Sequence, residues 1–257
     1  MEKSGKIMQT ATSGISGRLW ASFLLLGLVG QLAWTIENMY LNVFLYKTIS
    51  TDPGCIATMV AASGVAATLT TLFMGALSDR LGRRKAFICV GYMLWGLSTA
   101  LFGFLSADAM HALFPEANAA MTAAAAVVVL DCVMTFFGST ANDAAFNAFV
   151  TERTDAEHRG RVESVLATLP LIAMLLIFGL FDGMTQDGRW RAFFLLFGCI
   201  VVAAGVAAVF LLPKETNVRS AHESYLGGII YGFRPSVVRA EKKLYLILCA
   251  FGVFCIS

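Results

Sequence analysis

The sequence GALSDRLGRRK, running from Gly75 to Lys85, is a short charged turn between two long apolar segments. The segment on either side contains about 20 mostly apolar residues, enough for a helix to cross the roughly 30 Å hydrocarbon core of a bilayer. Two such segments joined by a short basic turn are typical of adjacent membrane helices. The stretch therefore predicts a membrane protein.

The composition of the whole chain supports this interpretation. Hydrophobic residues make up 58% of the 257 residues and charged residues only 14%, whereas soluble domains average about 25% charged residues. The net charge of +2 gives no reason to expect a nucleic-acid partner. The six cysteines stand singly within apolar stretches, so no metal or disulfide site is predicted.

Six apolar segments are long enough to span a bilayer, and turn or charged residues separate them. Because the apolar runs are continuous, they predict helices rather than alternating barrel strands. The expected fold class is an all-α membrane bundle. The predicted spans cover approximately residues 19–46, 55–77, 86–106, 121–150, 163–183 and 192–212.

The last part of the chain predicts a different organisation. Residues 1–213 form the expected six-span bundle, and residues 214–243 are polar enough for a cytoplasmic linker. Residues 244–257 are apolar but too short to span. They predict the truncated start of a seventh helix, with a missing C-terminal half as partner. An interfacial helix is the alternative.

Basic residues predict the orientation. With a cytoplasmic N-terminus, 16 of the 19 Lys and Arg residues fall inside, and only Lys47, Arg189 and Arg191 fall outside. A multi-pass plasma-membrane protein with its N-terminus in the cytoplasm is expected.

The charged turn resembles a loop motif of the major facilitator superfamily, G-x-x-x-D-R-x-G-R-[RK], between its second and third spans. Glu152 followed by Arg159-Gly160-Arg161 looks like that superfamily's loop after the fourth span, and Pro213–Thr216 looks like the end of its sixth. The resemblance implies an N-terminal half built as a three-plus-three inverted repeat.

The turn contains groups suited to a breakable latch between helices. Gly75 would permit close helix approach, Asp79 could accept backbone donors at a helix N-terminus, and Arg83 could form a forked pair with Glu152. In the family, this latch is thought to hold the outward-facing state. The alternative is that the basic residues only fix topology. The predicted latch residues are Gly75, Asp79, Gly82, Arg83, Arg84, Glu152 and Arg159.

Acidic residues within the spans mark a candidate solute pathway, because charge at membrane depth is expensive. Glu37 lies in the first span, and Asp131 and Asp143 lie in the fourth, with Asp131 nearer the outer surface. These spans open the two triplets, where such repeats form their sites. At 100° per residue, Glu37 is turned toward a neighbouring helix. The predicted binding residues are Gln31, Trp34, Glu37, Asn38, Asn42, Asp131, Ser139, Asn142, Asp143 and Asn147. Interhelical hydrogen bonding is the alternative role for the neutral ones.

These groups predict secondary transport of a small polar solute, such as a sugar or related metabolite. Carboxylates could carry a coupling proton, or could hold Na⁺ with amide oxygens, and the sequence does not choose. No other cofactor is expected. The Glu37-Asn38 pair with Asn42 loosely resembles the glycoside-pentoside-hexuronide cation symporter branch. A transporter-like sensor, or an exporter of drug-like solutes, remains the alternative.

A membrane-embedded enzyme is not expected. The three histidines, His111, His158 and His222, fall in predicted loops or in the linker. No Ser/His pair or metal triad can be built from them within the bilayer.

Overall fold

The computed structural model describes residues 15–115, 118–213 and 235–256, without the side chains of residues 248 and 251–256. Within these ranges the regular structure is entirely helical, which confirms the predicted fold class. Six helices are long and apolar enough to cross a membrane, as predicted, and we number them as spans one to six. They are Gly17–Thr48, Pro53–Leu81, Arg84–Phe104, Ala119–Arg153, Ala156–Gln186 and Trp190–Leu211.

All of the breaks between spans except the one between spans three and four are shorter than the sequence suggested. Pro53 begins span two rather than separating it from span one, because the fixed φ of proline suits a first helical turn and the Asp52 carboxylate caps the N–H of Gly54. Only Gly82 and Arg83 separate spans two and three. A short helix, Ala107–Leu113, lies in the predicted loop between spans three and four, where Ser106 caps its start.

Three spans are interrupted by π-helical segments, which the sequence did not predict. They are Ile36–Tyr40 in span one, Ser139–Phe146 in span four and Ile177–Phe181 in span five. Such segments are uncommon and often mark functional sites. In spans one and four the segment begins about 30 Å from the start of the helix. The two interruptions therefore occupy corresponding places in the two triplets.

Spans three and six pack closely along their lengths. A Cβ atom on Gly96 would lie 2.5 Å from the carbonyl oxygen of Gly198, and one on Gly198 would lie 2.6 Å from that of Gly96. Small residues that let backbones meet are the usual basis of helix association in membranes. Spans three and six are thus in backbone contact, whereas spans two and five are the least buried of the six spans.

The two ends of the bundle differ in charge. Arg18, at the start of span one, donates from Nε to the carbonyl oxygen of Leu211 at 2.8 Å and from Nη2 to that of Phe210. Lys85 Nζ donates to the carbonyl oxygen of Leu212 at 2.9 Å. At one end of the bundle, the starts of spans one and three thus meet the end of span six. We call this the Arg84 end. The opposite end, which we call the far end, carries Lys47 and the arginines that flank Trp190.

Two helices follow the bundle in the described part of the chain, Pro235–Ala240 and Lys242–Ile256. The second begins close to the predicted start of a seventh helix at residue 244. Its role as part of a span stays a prediction. Most of the predicted linker, residues 214–234, lies outside the described residues.

Candidate functional site

Spans one, two and four line a partly open cavity of about 290 Å³. Trp34, Met59 and Val60 form part of its apolar wall. Its polar wall consists of Glu37, Asn38, Asn42, Ser63, Asp131 and Thr135. Five of the predicted binding residues line this cavity, namely Trp34, Glu37, Asn38, Asn42 and Asp131.

Glu37 lies in the π-helical segment of span one and is turned toward span four. Its side chain is 6% exposed, and its Oε1 accepts a hydrogen bond of 2.6 Å from the hydroxyl of Thr135. Its Oε2 is buried and has no hydrogen-bond partner among the described residues. The orientation toward a neighbouring helix agrees with the helical-wheel prediction. The other oxygen leaves an unfilled acceptor at the cavity.

Asp131 is the second carboxylate of the cavity and is 1% exposed. The Ser63 hydroxyl on span two lies beside it, and Asp131 interacts electrostatically with Glu37. Asp131 and Glu37 each lie about 17 Å along the helix axis from the far end of their span. Asp131, like Glu37, therefore lies nearer the far end than the Arg84 end. The predicted position of Asp131 nearer the outer surface stays a prediction, because it depends on the orientation of the chain.

The amides of the cavity are already engaged by their own helix. Asn38 Nδ2 donates to the carbonyl oxygen of Trp34 at 2.9 Å, and Asn42 Nδ2 donates to that of Asn38 at 2.7 Å. Asn42 Oδ1, like Asp131 Oδ1, is buried and has no hydrogen-bond partner within the described ranges. Buried acceptor oxygens beside the cavity thus lack partners among the described residues, whereas each amide uses one of its two N–H groups within its own helix.

Trp34 contributes an aromatic surface at the cavity. Its ring packs on that of Trp95 in span three, with centroids 5.1 Å apart and the planes tilted by 58°. The indole of Trp34 is only partly buried, so it remains accessible from the cavity. Trp95, by contrast, is fully buried and fixes the position of Trp34.

The other predicted binding residues do not line this cavity and lie closer to the Arg84 end. Asn142 accepts a 3.1 Å hydrogen bond from the Tyr92 hydroxyl, which also donates to the carbonyl oxygen of Leu26. It therefore holds spans one, three and four together. Asp143 is half-buried and interacts electrostatically with Glu37. The rest of this group comprises Gln31, which is half-buried, Ser139, which is buried, and Asn147, which is exposed.

At the Arg84 end, one arginine joins two acidic residues. Arg84 Nη2 lies 2.7 Å from Asp79 Oδ1 and 2.8 Å from Glu152 Oε1, linking the end of span two, the start of span three and the end of span four. We call Asp79, Arg84 and Glu152 the Arg84 cluster. The prediction that Glu152 pairs with Arg83 is wrong, because the arginine that contacts Glu152 is Arg84. Arg83 is exposed, and its side chain has no ion-pair partner among the described residues.

The backbone explains this change of partner. Gly82 ends span two with a left-handed φ of 61°, Arg83 occupies the N-cap position, and Arg84 is the first residue of span three. The turn directs Arg84, rather than Arg83, toward span four. The partner of Asp79 is likewise the Arg84 guanidinium rather than a backbone donor.

Two further motif residues have roles that differ from the expected ones. A Cβ atom on Gly75 would lie 3.9 Å from that of Ala144, an ordinary contact, so close helix approach does not require glycine there in this structure. Arg159 Nη2 donates to the carbonyl oxygens of Thr151 and Thr154, at 2.8 and 3.1 Å, and so caps the end of span four.

The structure has six membrane-length helices, a turn at Gly82 after span two, and an Arg84 cluster that joins three spans. The family model described as Major Facilitator Superfamily matches residues 23–257. The chain belongs to the Major Facilitator Superfamily. It is therefore a multi-pass membrane transporter of a family that is not enzymatic. Searches of curated proteins and of solved structures returned no significant match to this chain.

The inverted repeats of the superfamily draw attention to a pattern that the sequence analysis missed. Gly183-x-x-x-Asp187-Gly188-Arg189 after span five is a shortened copy of the turn after span two. Gly82 and Gly188, with φ of 61° and 72°, are the described residues with positive φ. Comparing the two triplets directly would have found this copy.

A tie at the far end accompanies this second turn. The Tyr40 hydroxyl of span one donates to Asp182 Oδ1 of span five at 3.1 Å, and Gln186 Nε2 donates to Asp182 Oδ2 at 2.5 Å. A wider cavity of about 630 Å³ lies here, and its lining includes Tyr40, Phe178 and Asp182. Spans one and five are thus joined at the far end of the bundle.

Proposed function

We propose that this chain forms the N-terminal half of a secondary active carrier that moves a small polar solute by alternating access. The observation that carries the proposal is the pair of buried carboxylates, Glu37 and Asp131, that line one cavity, each with an oxygen that has no hydrogen-bond partner among the described residues. Charged groups at membrane depth are costly, and they usually mark a pathway for a solute or an ion. The cavity between spans one, two and four is the solute site.

Among polar solutes, a sugar or related metabolite is the class that the sequence favours. Its hydroxyl groups would donate to the acceptor oxygens of the cavity, and Trp34 would stack against an apolar face of the ring. Carboxylates suit either coupling ion, because they can take up a proton or coordinate Na⁺ through oxygen. The proposal therefore includes symport with H⁺ or Na⁺.

The Arg84 cluster supplies the conformational part of the proposal. It joins spans two, three and four at one end of the bundle, so movement between these spans must break it. The excess of basic residues at that end supports its placement in the cytoplasm, and the plasma membrane is the membrane that we propose. A C-terminal half of the same carrier would cover the exposed side of spans two and five.

Uptake into proteoliposomes tests the proposal. The full-length carrier is reconstituted, and labelled sugars and related metabolites are offered with an inward H⁺ or Na⁺ gradient. We expect saturable accumulation that falls at least about tenfold in Glu37→Gln and in Asp131→Asn, because an interaction of about 1.4 kcal/mol is lost. Asp108→Asn, on an exposed loop helix, is the matched control.

Three other outcomes would each reject a part of the proposal. Solute binding without accumulation would indicate a sensor. Gradient-driven expulsion of drug-like compounds would indicate an exporter. Undiminished ion dependence in both variants would remove Glu37 and Asp131 as coupling residues.

A further inference from the structure

The buried hydrogen-bonding groups beside the cavity that lack a partner among the described residues are all acceptors. Three buried oxygens, Glu37 Oε2, Asp131 Oδ1 and Asn42 Oδ1, have no partner in the described part of the chain. The Asn38 and Asn42 amides each donate one of their two N–H groups to their own helix, and the Thr135 hydroxyl donates to Glu37. A ligand that reaches the three unpaired oxygens would satisfy them by donating hydrogen bonds.

The ionisable residues that line the cavity are both acidic. Glu37 and Asp131 face it, and the described residues that line it include no Lys, Arg or His. A buried charge without a partner is costly, and two like charges on one cavity add to that cost. A positively charged ligand offsets both costs, whereas an anion would increase them.

These two properties distinguish between classes of solute. A sugar hydroxyl both donates and accepts, and it carries no charge to offset that of the two carboxylates. An ammonium or guanidinium group only donates, and its charge makes its hydrogen bonds to carboxylates about twice as strong as neutral ones. The cavity chemistry therefore favours a cationic nitrogen over a neutral hydroxyl.

The apolar wall and the size of the cavity favour an organic cation over a bare metal ion. Trp34 presents an indole ring, on which a cation gains further attraction, and Met59 and Val60 offer surface for a hydrocarbon body. The volume of about 290 Å³ holds several times the roughly 30 Å³ that one water occupies in the liquid.

We propose that this site selects a small organic cation, whose ammonium or guanidinium group lies between Glu37 and Asp131 and whose body packs on Trp34. This inference rests on the proposed function and narrows its solute class. It includes amino sugars and excludes their neutral counterparts as preferred substrates.

Matched pairs of compounds test the inference. Glucosamine and glucose, and 2-phenylethylamine and 2-phenylethanol, differ mainly by an amine in place of a hydroxyl. Binding of each to the purified full-length carrier is measured by calorimetry and by the shift in Tm at constant pH and ionic strength. We expect an amine to bind at least tenfold more tightly than its partner hydroxyl.

Variants locate the preference. In Glu37→Gln and in Asp131→Asn the ratio within each pair should fall by about tenfold, and Trp34→Leu should weaken the aromatic amine more than Trp34→Phe does. Asp131→Glu, which keeps the charge, should retain the preference even if Asp131→Asn does not fold. Asp108→Asn should leave the ratio unchanged.

Three results would overturn the inference. They are equal or tighter binding of the hydroxyl partners, no binding of any amine, and stabilisation by NaCl alone that is lost in the same variants. Accumulation of a neutral sugar would leave the carrier intact and reject the cationic solute. Amine binding without accumulation would support the cationic ligand and reject the carrier.

Discussion

Neighbouring arginines in the turn after span two have different surroundings. Arg84 is 15% exposed and contacts both Asp79 and Glu152, whereas Arg83 is exposed at the helix N-cap. The planar guanidinium of arginine suits contact with two carboxylates. The function of the motif as a latch should therefore depend on the second arginine.

Substituting each arginine in turn tests this distinction. Arg84→Ala should shift the conformational equilibrium of the full-length carrier by about 1 kcal/mol, or about fivefold, because a partly exposed charge network of this kind is lost. Arg83→Ala should stay close to wild type. Transport rate and the accessibility of a thiol probe at each end of the bundle are the measurements.

Expression level and membrane insertion are the controls for this pair. Loss of insertion in Arg84→Ala would assign that residue to topology rather than to the latch. A larger effect in Arg83→Ala than in Arg84→Ala would support the prediction from the sequence that Arg83 pairs with Glu152.

Glycine crossings hold the helices of the bundle at fixed distances. Gly96 and Gly198 bring spans three and six together at backbone contact, whereas a Cβ atom on Gly17, at the exposed start of span one, would meet no atom within 4 Å. Stability should therefore respond to a methyl group at the first place and tolerate it at the second.

Alanine substitution at these glycines checks the crossing. Gly96→Ala should lower stability by about 1–3 kcal/mol, the usual cost of overpacking a close contact, and Gly17→Ala should not lower it. Thermal unfolding of the full-length protein in detergent gives the comparison. Equal Tm values would show that spans three and six can separate at little cost.

The whole bundle is electrically asymmetric, because most basic side chains lie at the Arg84 end. Positive residues are retained in the cytoplasm during insertion, so this end should face the cytoplasm. Asp187 lies at the far end with 68% of its side chain exposed, and Glu157 is exposed at the Arg84 end.

Thiol labelling in cells measures the orientation. With the native cysteines replaced by serine, a membrane-impermeant maleimide should label Asp187→Cys in intact cells and should label Glu157→Cys only after permeabilisation. The unsubstituted serine background is the control. The reverse pattern would place the Arg84 end outside and would reject the predicted topology.

Much of the fold could be predicted because it depends on short-range composition. Continuous apolar runs of about 20 residues require helices in a bilayer, and the positions of Pro53 and Gly82 mark where those helices begin and end. The π-helical segments could not be predicted, because one residue added to a turn leaves no distinct composition. Their positions depend on how each span packs on its neighbours.

The sequence by itself determined the six helices, the acidic residues at membrane depth and the superfamily motif. Only the tertiary structure decided that Asp131 joins Glu37 at one cavity, that Asn142 holds helices together instead, and that Arg84 takes the place expected for Arg83. Helical periodicity gives the face of a side chain on its own helix. Which neighbour that face meets depends on the rotation and crossing of separate helices, and these are set by contacts such as Gly96 with Gly198.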